Sequence, residues 1–516
     1  MKNQIIKNIG SNYFVNFLQM LLGLLIIPFL IFKLGKDAFG LTVLAESLIA
    51  IFEIIAFSVR IALARHATFA LARGSKEEFI SYLSSGRYLL FACGVVVLLL
   101  GGTLSYFFPN IFHVPAHFEQ QSRILFFLIT AAFFITIPNI VYWSVLYSQQ
   151  RFDLINMASS AGIIFRAAAI FVLFSFLPSQ HISLVTYGCI YFVMRWFENF
   201  LIYVWHKRVM PELRLGIRHF QWAKMKEIFS FSGYTMLSNI SNMLYDNTSN
   251  ILINIFYGPA LNALYAVSLK IPMTIKNFFL RATWTLTPTV TDLAAKKETA
   301  RIEQLFFTYS KFVAIATIPL SIFIIFTSHQ IISLWVGKDF QEAANLLAIH
   351  MLPLIVILPF EITNCVPNAY GKVKVPSQIN FVIALGNVLL GIVLARHFSL
   401  GLYGFAISAA FCTFLSSGVF IPYYSSRITG IPLKKYILNV FIQPLLLAVG
   451  ISIFGFVLVQ ALLSGFSTTF TFLFAEAALL LMVYYVCAGL LLLTPAEKDS
   501  VSVFFKIKTP GFNLCV

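Results

Sequence analysis

Apolar runs about as long as a bilayer is thick dominate this chain and constrain its fold more than any other feature. No charged residue occurs from Asn12 to Phe32, and comparable stretches recur as far as the region around Met482. Roughly 20 apolar residues cross the hydrocarbon core as a helix, because each backbone N–H and C=O then finds its partner within the segment. The runs are continuous rather than alternating, which disfavours a membrane β-barrel. Composition agrees: 59% of the 516 residues are hydrophobic and 11% charged, and the chain holds 55 Phe. Mean hydropathy is +0.86. The sequence predicts an all-α polytopic membrane protein with about 14 transmembrane helices.

Lys2 and Lys7 precede the first apolar run, but it is too long for a signal peptide and lacks a small-residue cleavage site. It is expected to stay as the first membrane helix. The six cysteines are scattered, without disulfide or metal-ligand spacing, and His113 and His117 of HVPAH lack a third ligand. No metal or cofactor is expected.

Lys and Arg set the orientation. Most of the 36 fall in alternate loops, including Lys2, Lys7, Arg65 to Arg87, Arg151, Lys207 to Lys226 and the tail. Lys33, Lys36, Arg123, Lys338 and Arg396 are the few in the opposite loops. Both termini are therefore expected in the cytoplasm, and the net charge of +16 reads as topology rather than as a nucleic-acid footprint. The segment Lys207 to Glu227, with Trp222 among its basic residues, is expected to lie on the anionic cytoplasmic leaflet, in contact with membrane lipids.

That segment also divides the chain. At a constant displacement Gly10 meets Gly233, Asn16 meets Asn239, Gln19 meets Asn242 and Gly35 meets Gly258. The expected organisation is a six-helix bundle over 1–206, a basic linker over 207–228, and a second six-helix bundle over 229–425. Two further helices and a short tail follow over 426–516.

Polar residues inside the spans carry the functional signal. Asn239, Asn242, Asp246, Ser249 and Asn250 step by three or four and share a helix face, as do Asn12, Asn16 and Gln19 in the first half. Glu46, Glu53 and Arg60 form a stripe of period seven, and Lys270, Asn277 and Arg281 form its counterpart. Arg166 falls within another span, and Arg195 and Glu198, three apart, read as a structural pair. A charge at the bilayer centre costs roughly 2.5–3.5 kcal/mol on insertion scales, so these stripes face a wet cavity or one another. Interhelical glue is the competing reading for any single amide, at about 0.6 kcal/mol per contact. Repetition of the stripes in both halves favours the lined cavity. No GxxxxGK[ST] loop occurs and no extramembrane segment is long enough for a catalytic domain, which argues against an enzyme.

Several segments carry a family pattern. KNIGSNYFVNFLQMLLGLLIIPFLIFKLGKDAFGL at the N-terminus, VYWSVLYSQQRFDLIN at 141–156, LWVGKDFQEAANLLAIHMLPLI at 334–355 and NAYGKVKVPSQINFVIALGNVLLGIVLARHFSLGLYGFAISAAF from Asn368 resemble polysaccharide-export flippases. These belong to the multidrug/oligosaccharidyl-lipid/polysaccharide (MOP) exporter superfamily. The resemblance implies a MATE-like V of two six-helix bundles working by alternating access in the cytoplasmic (inner) membrane. It implies an undecaprenyl-pyrophosphate-linked oligosaccharide as substrate, such as an O-antigen, capsule or exopolysaccharide repeat unit, and polysaccharide polymerase or assembly proteins as partners. Arg60, Arg166, Lys270 and Arg281 match the family's cationic cavity, with Asn16, Gln19, Asn239, Asn242 and Asn250 as polar lining. Glu46, Glu53 and Asp246 are the acids that could carry a coupled ion. A drug/cation antiporter of the same superfamily is the nearer alternative, and a membrane enzyme of polysaccharide assembly the more distant one.

The charge asymmetry makes a direct prediction. In a background without native cysteines, a single cysteine in the 207–227 segment should resist an impermeant thiol reagent in intact cells, and one near His113 should react. The reverse pattern would overturn the assigned orientation.

Overall fold

A computed structural model describes residues 2–178, 182–452, 470–495 and 497, and among these there is no strand. The first elements are α1 (Lys2–Leu34), α2 (Lys36–Ala72), α3 (Lys76–Ile111), α4 (Glu119–Ser148), α5 (Phe152–Phe176) and α6 (Leu184–Val209). After the basic linker come α7 (Trp222–Asp246), α8 (Thr248–Tyr257), α9 (Pro259–Trp284) and α10 (Thr287–Ala295). α11 (Thr299–Phe326), α12 (Ser328–Val336), α13 (Glu342–Met351), α14 (Leu354–Phe360) and α15 (Cys365–Ala369) follow. The chain continues with α16 (Lys374–Ile392), α17 (Leu402–Thr413), α18 (Ile421–Thr429), α19 (Leu433–Tyr436) and α20 (Phe470–Leu491).

Among the described residues, ten helical stretches are long and apolar enough to cross a membrane, so the protein is an all-α multi-pass membrane protein. The expected count of about 14 also includes α6, α7 with α8, α9 and α20, which lie outside those ten. Three of these four carry the polar stripes or pairs singled out in the sequence. In α20 the qualifying apolar stretch shortens to Ala475–Leu491.

The chain packs as two units, one made of Met1–Lys270 with Asn380–Phe405 and the other of Ile271–Ile379 with Ala406–Val516. In the first, α2 is the central helix: Leu41, Leu44, Ala45, Ala62 and Leu63 are fully enclosed. Small residues let its neighbours come close, as expected where lipid supplies no hydrophobic drive and packing must hold helices together. The clearest case is Gly40, where a Cβ would sit 1.9 Å from the Pro259 carbonyl oxygen at the start of α9. Asn262 Nδ2 ties the same point by donating to the Gly40 carbonyl at 3.1 Å.

The turns before α2 and α9 repeat one conformation. Gly35 has φ 85 and ψ 169, and Gly258 has φ 85 and ψ 177, a region open essentially to glycine alone. These are two of the residues paired by the displacement seen in the sequence. The start of α7 is fastened to α3: Lys224 Nζ meets Glu78 Oε1 at 2.7 Å, and the N-cap residue Gln221 donates from its N to Ser85 Oγ at 2.9 Å. Tyr82 completes this anchor by donating to Glu227.

In the second unit, Ile302, Phe306, Phe360, Val366 and Tyr436 form an apolar core. The Tyr436 hydroxyl lies in that core and is satisfied by Ser310. Lys311 Nζ pairs with Glu497 Oε2 at 2.8 Å, fixing the residues after α20 to α11.

Gly40 and Gly35 separate two penalties. Gly35→Ala meets open space and pays only for its backbone, about 1–3 kcal/mol. Gly40→Ala forces backbone against backbone and should cost at least about 1–3 kcal/mol, through overpacking. Thermal transitions of the detergent-purified variants measure this, with Gly40→Ala expected to be the less stable. The opposite order would show that the close approach does not hold the bundle.

Candidate functional site

The acids of α2 meet their partners within the first unit. A period of seven keeps Glu46, Glu53 and Arg60 on one face of a helix, and the structure turns that face toward α4, α5 and α6. Arg166 Nη2, from α5, donates to Glu46 Oε1 at 2.7 Å. The Tyr187 hydroxyl, from α6, donates to the same oxygen at 2.6 Å, and Arg166 also bonds Tyr187 directly. The Arg166 guanidinium lies 5.4 Å from the Tyr187 ring and 5.3 Å from the Tyr191 ring. One helical turn along α6, Arg195 bonds the Tyr191 hydroxyl at 3.3 Å and pairs with Glu198 at 3.3 Å and Glu53 at 3.9 Å. Glu198 in turn accepts from Ser159 of α5 at 3.0 Å.

The result is a ladder of alternating charge and phenol through three helices. Each rung neutralises what the hydrocarbon would penalise. It is not sealed, however: 40% of the Glu46 side chain and 49% of the Glu53 side chain stay accessible. Carboxylates open on one side at membrane depth require a polar surrounding there.

Arg60 ends the stripe differently. Its guanidinium lies between the rings of Phe57 and Trp143, at 4.6 and 4.8 Å, and forms no ion pair among the described residues. Aromatic faces hold a planar fork while leaving its N–H edges available. Lys270, on α9, is close enough to Glu46 and Arg166 for their charges to act on it. Its Nζ lies 3.1 Å from where a Cβ on Gly23 of α1 would stand, so the bare glycine makes room for it.

The amides divide. Asn16 has its Oδ1 buried without a hydrogen bond, and Gln19 is exposed. Beside them, Asn156 of α5 donates to Asn12 Oδ1 at 2.8 Å and to Ser11 Oγ at 2.9 Å. Asn250 is buried on α8 with Oδ1 unbonded. Asn239, Asn242 and Asp246 lie on α7, but their side chains fall outside the described residues. Arg281 belongs to the second unit, on the C-terminal part of α9, and is exposed.

Three features went unread in the sequence. Tyr187 and Tyr191 supply hydroxyls and rings to the ladder, and tyrosines in an apolar span raise no alarm. Asn254 is fully enclosed on α8 with neither amide atom bonded. Glu361, within the apolar stretch Glu342–Ala369, is buried in the second unit, accepts from Asn364 at 2.9 Å and feels the charge of Lys276. An acid inside an apolar run is itself a signal, and FEITN offered it.

Long apolar helices with a charged ladder inside one bundle define a multi-pass membrane protein built around buried polar chemistry. The family profile described as Polysaccharide biosynthesis protein matches residues 34–345. The chain belongs to that family. It is 22% identical over 511 residues to the uncharacterized membrane protein EpsK of Bacillus subtilis (strain 168), covering 98% of each chain. Its fold is similar to an inward-facing multidrug resistance MATE family transporter of the MOP superfamily, with a TM-score of 0.69 and 15% identity over 81% of this chain and 96% of that one. It is also similar to the lipid II flippase MurJ in an inward closed conformation, with a TM-score of 0.64 and 17% identity over 93% of this chain and 98% of that one. The chain thus shares its fold with these two solved structures.

If Glu46 and Arg166 hold each other, removing either leaves the other unpaired at a cost of about 1–3 kcal/mol. Glu46→Gln and Arg166→Gln should each destabilise, and the double variant should lose less than their sum. Denaturation of the three purified variants beside the parent tests this. Strict additivity would mean the contact contributes nothing.

Proposed function

We propose that the protein is a flippase for undecaprenyl-pyrophosphate-linked oligosaccharide, carrying a repeat unit of O-antigen, capsule or exopolysaccharide from the cytoplasmic to the outer leaflet. Membership of a polysaccharide biosynthesis family supports the substrate class, and the MOP fold supports alternating access. The observation that carries the reading is Arg60, whose guanidinium lies against the Phe57 and Trp143 rings, feels the charge of Glu53, and forms no hydrogen bond or ion pair among the described residues. A lipid pyrophosphate brings negative charge to membrane depth, and a planar fork matches phosphate oxygens where a lysine offers a point charge. Arg166 and Lys270 extend the cationic lining, and Glu46 tempers it so that the head can also be released. Arg281 is proposed as a further cation of the second unit.

Transport is proposed to be ion-coupled, with Glu46, Glu53 and Asp246 as the acids that exchange the ion, joined by Glu361. A carboxylate held beside a cation binds a proton or a small cation more readily once that partner is drawn to an arriving phosphate. The two extra C-terminal helices and the basic lining separate this reading from a drug antiporter, which would favour an acidic cavity. The proposed boundaries remain a six-helix bundle over 1–206, a linker over 207–228, a second bundle over 229–425 and two added helices over 426–516.

Loss of one cationic contact to phosphate should cost on the order of 1–3 kcal/mol, so Arg60→Ala, Lys270→Ala or Arg281→Ala should lower glycan export about 5- to 150-fold at unchanged abundance. Asp246→Asn should leave a folded protein whose export no longer varies with pH. The measurement is surface glycan per folded transporter across pH. Normal export in all four variants would overturn the reading, and export of a cationic dye in place of glycan would support the antiporter.

A further inference from the structure

Away from the ladder, the first unit carries a groove of about 500 Å³ where α5 begins and α6 ends. It is lined by Arg151, Leu154, Met157, Trp205, Arg208 and Val209. Two guanidiniums and four apolar side chains make an amphiphilic surface. Arg151 is held as a fork on Asp153, with Nε to Oδ1 at 3.0 Å and Nη2 to Oδ2 at 3.1 Å. Arg208 is exposed and forms no ion pair among the described residues. Trp205 is 8% exposed and anchored in a core with Leu146, Ile155, Ala158 and Ile202, whereas Met157 is 54% exposed. The firm wall is thus aromatic, and the open side is a flexible thioether that adapts to irregular apolar shapes.

We infer that this groove is a binding site for an anionic phospholipid of the surrounding membrane. The phosphate of the head meets Arg208 and the free side of the Arg151 fork, and the start of an acyl chain lies along Leu154, Met157 and Val209 on the Trp205 wall. Two observations select a lipid. A soluble phosphate would engage the arginines but leave four apolar side chains unused. A neutral lipid would fill the apolar part and leave Arg208 without a partner. The groove also lies beside Lys207 and the basic linker, at the end of the bundle that the Lys/Arg distribution assigns to the anionic leaflet. Asp153 is engaged by Arg151, so the groove's net positive charge falls on Arg208. The inference requires only that the chain sits in a bilayer, so it stands or falls separately from the transport reading.

The test uses the full chain in nanodiscs of phosphatidylcholine with a minor fraction of phosphatidylglycerol. Lipids retained after a delipidating wash are identified by native mass spectrometry. The parent should retain phosphatidylglycerol in preference to phosphatidylcholine. Arg208→Gln should lower that preference about five-fold, the worth of one basic residue near an anionic surface. Arg218→Gln, which removes an exposed cation of the nearby linker outside the groove, should lower the preference by clearly less than Arg208→Gln does. Met157→Ser should reduce retention of phosphatidylglycerol by removing the apolar contact while both arginines remain, which keeps the proposal testable if Arg208→Gln folds poorly. No preference in the parent, an unchanged preference in Arg208→Gln, or an equal loss in Arg218→Gln would overturn the site. Retention of undecaprenyl pyrophosphate in place of phosphatidylglycerol would overturn it too, by assigning the groove to a polyprenyl lipid.

Discussion

An ionised side chain in hydrocarbon must bring its own solvent, and the contact of Glu46 with Arg166 and Tyr187 supplies it. One carboxylate oxygen accepts from both partners, at 2.7 and 2.6 Å, so two charges and a hydroxyl are satisfied where water cannot be assumed. Much follows from this need. Three helices must converge at one depth, their partners must sit at matching heights, and the helices carrying them cannot slide without exposing a charge. Arg195 with Glu198 and Glu53 repeats the arrangement one step along, so two rungs fix the register of α2, α5 and α6. These half-open ion pairs add little stability, and their worth is in favouring the one alignment in which the charges meet.

The same need explains which parts of the fold could be read directly. Helices such as α4 and α11 hold long apolar stretches that hydropathy alone identifies. α6, α7 and α9 carry polar residues within their apolar runs, which dilutes the signal that would mark them as membrane helices. Their presence is expected from apolar runs in the sequence, with charge asymmetry setting only their orientation.

The site was legible where period and chemistry coincided. Glu46, Glu53 and Arg60 stood out because acids and bases at intervals of seven in an apolar run have few innocent explanations. Spacing also joined Arg195 to Glu198. The pairing of Glu46 with Arg166 was not legible, since it joins residues 120 apart in sequence and depends on how α2 and α5 meet. Tyr187 was hidden for another reason: phenols are common at all depths, and only its partner's charge reveals its part. Glu361 could have been found, but an acid in the short irregular segment between α14 and α15 does not extend a stripe. Gly40 is a fourth kind of case, in which the absence of a side chain is the information and only the neighbouring backbone discloses it.

The paired turns at Gly35 and Gly258 have a stereochemical consequence. Their backbone, at φ 85 with ψ near 170, is the mirror image of ordinary extended chain. What these joints require is the opposite handedness rather than small size, and glycine meets the requirement because it has none. Space is open around Gly35, so a D-alanine introduced there by chemical synthesis would be at ease where the natural enantiomer is strained. Each of these two joints thus stores one bit of chirality that an L side chain at the same backbone angles would write only under strain.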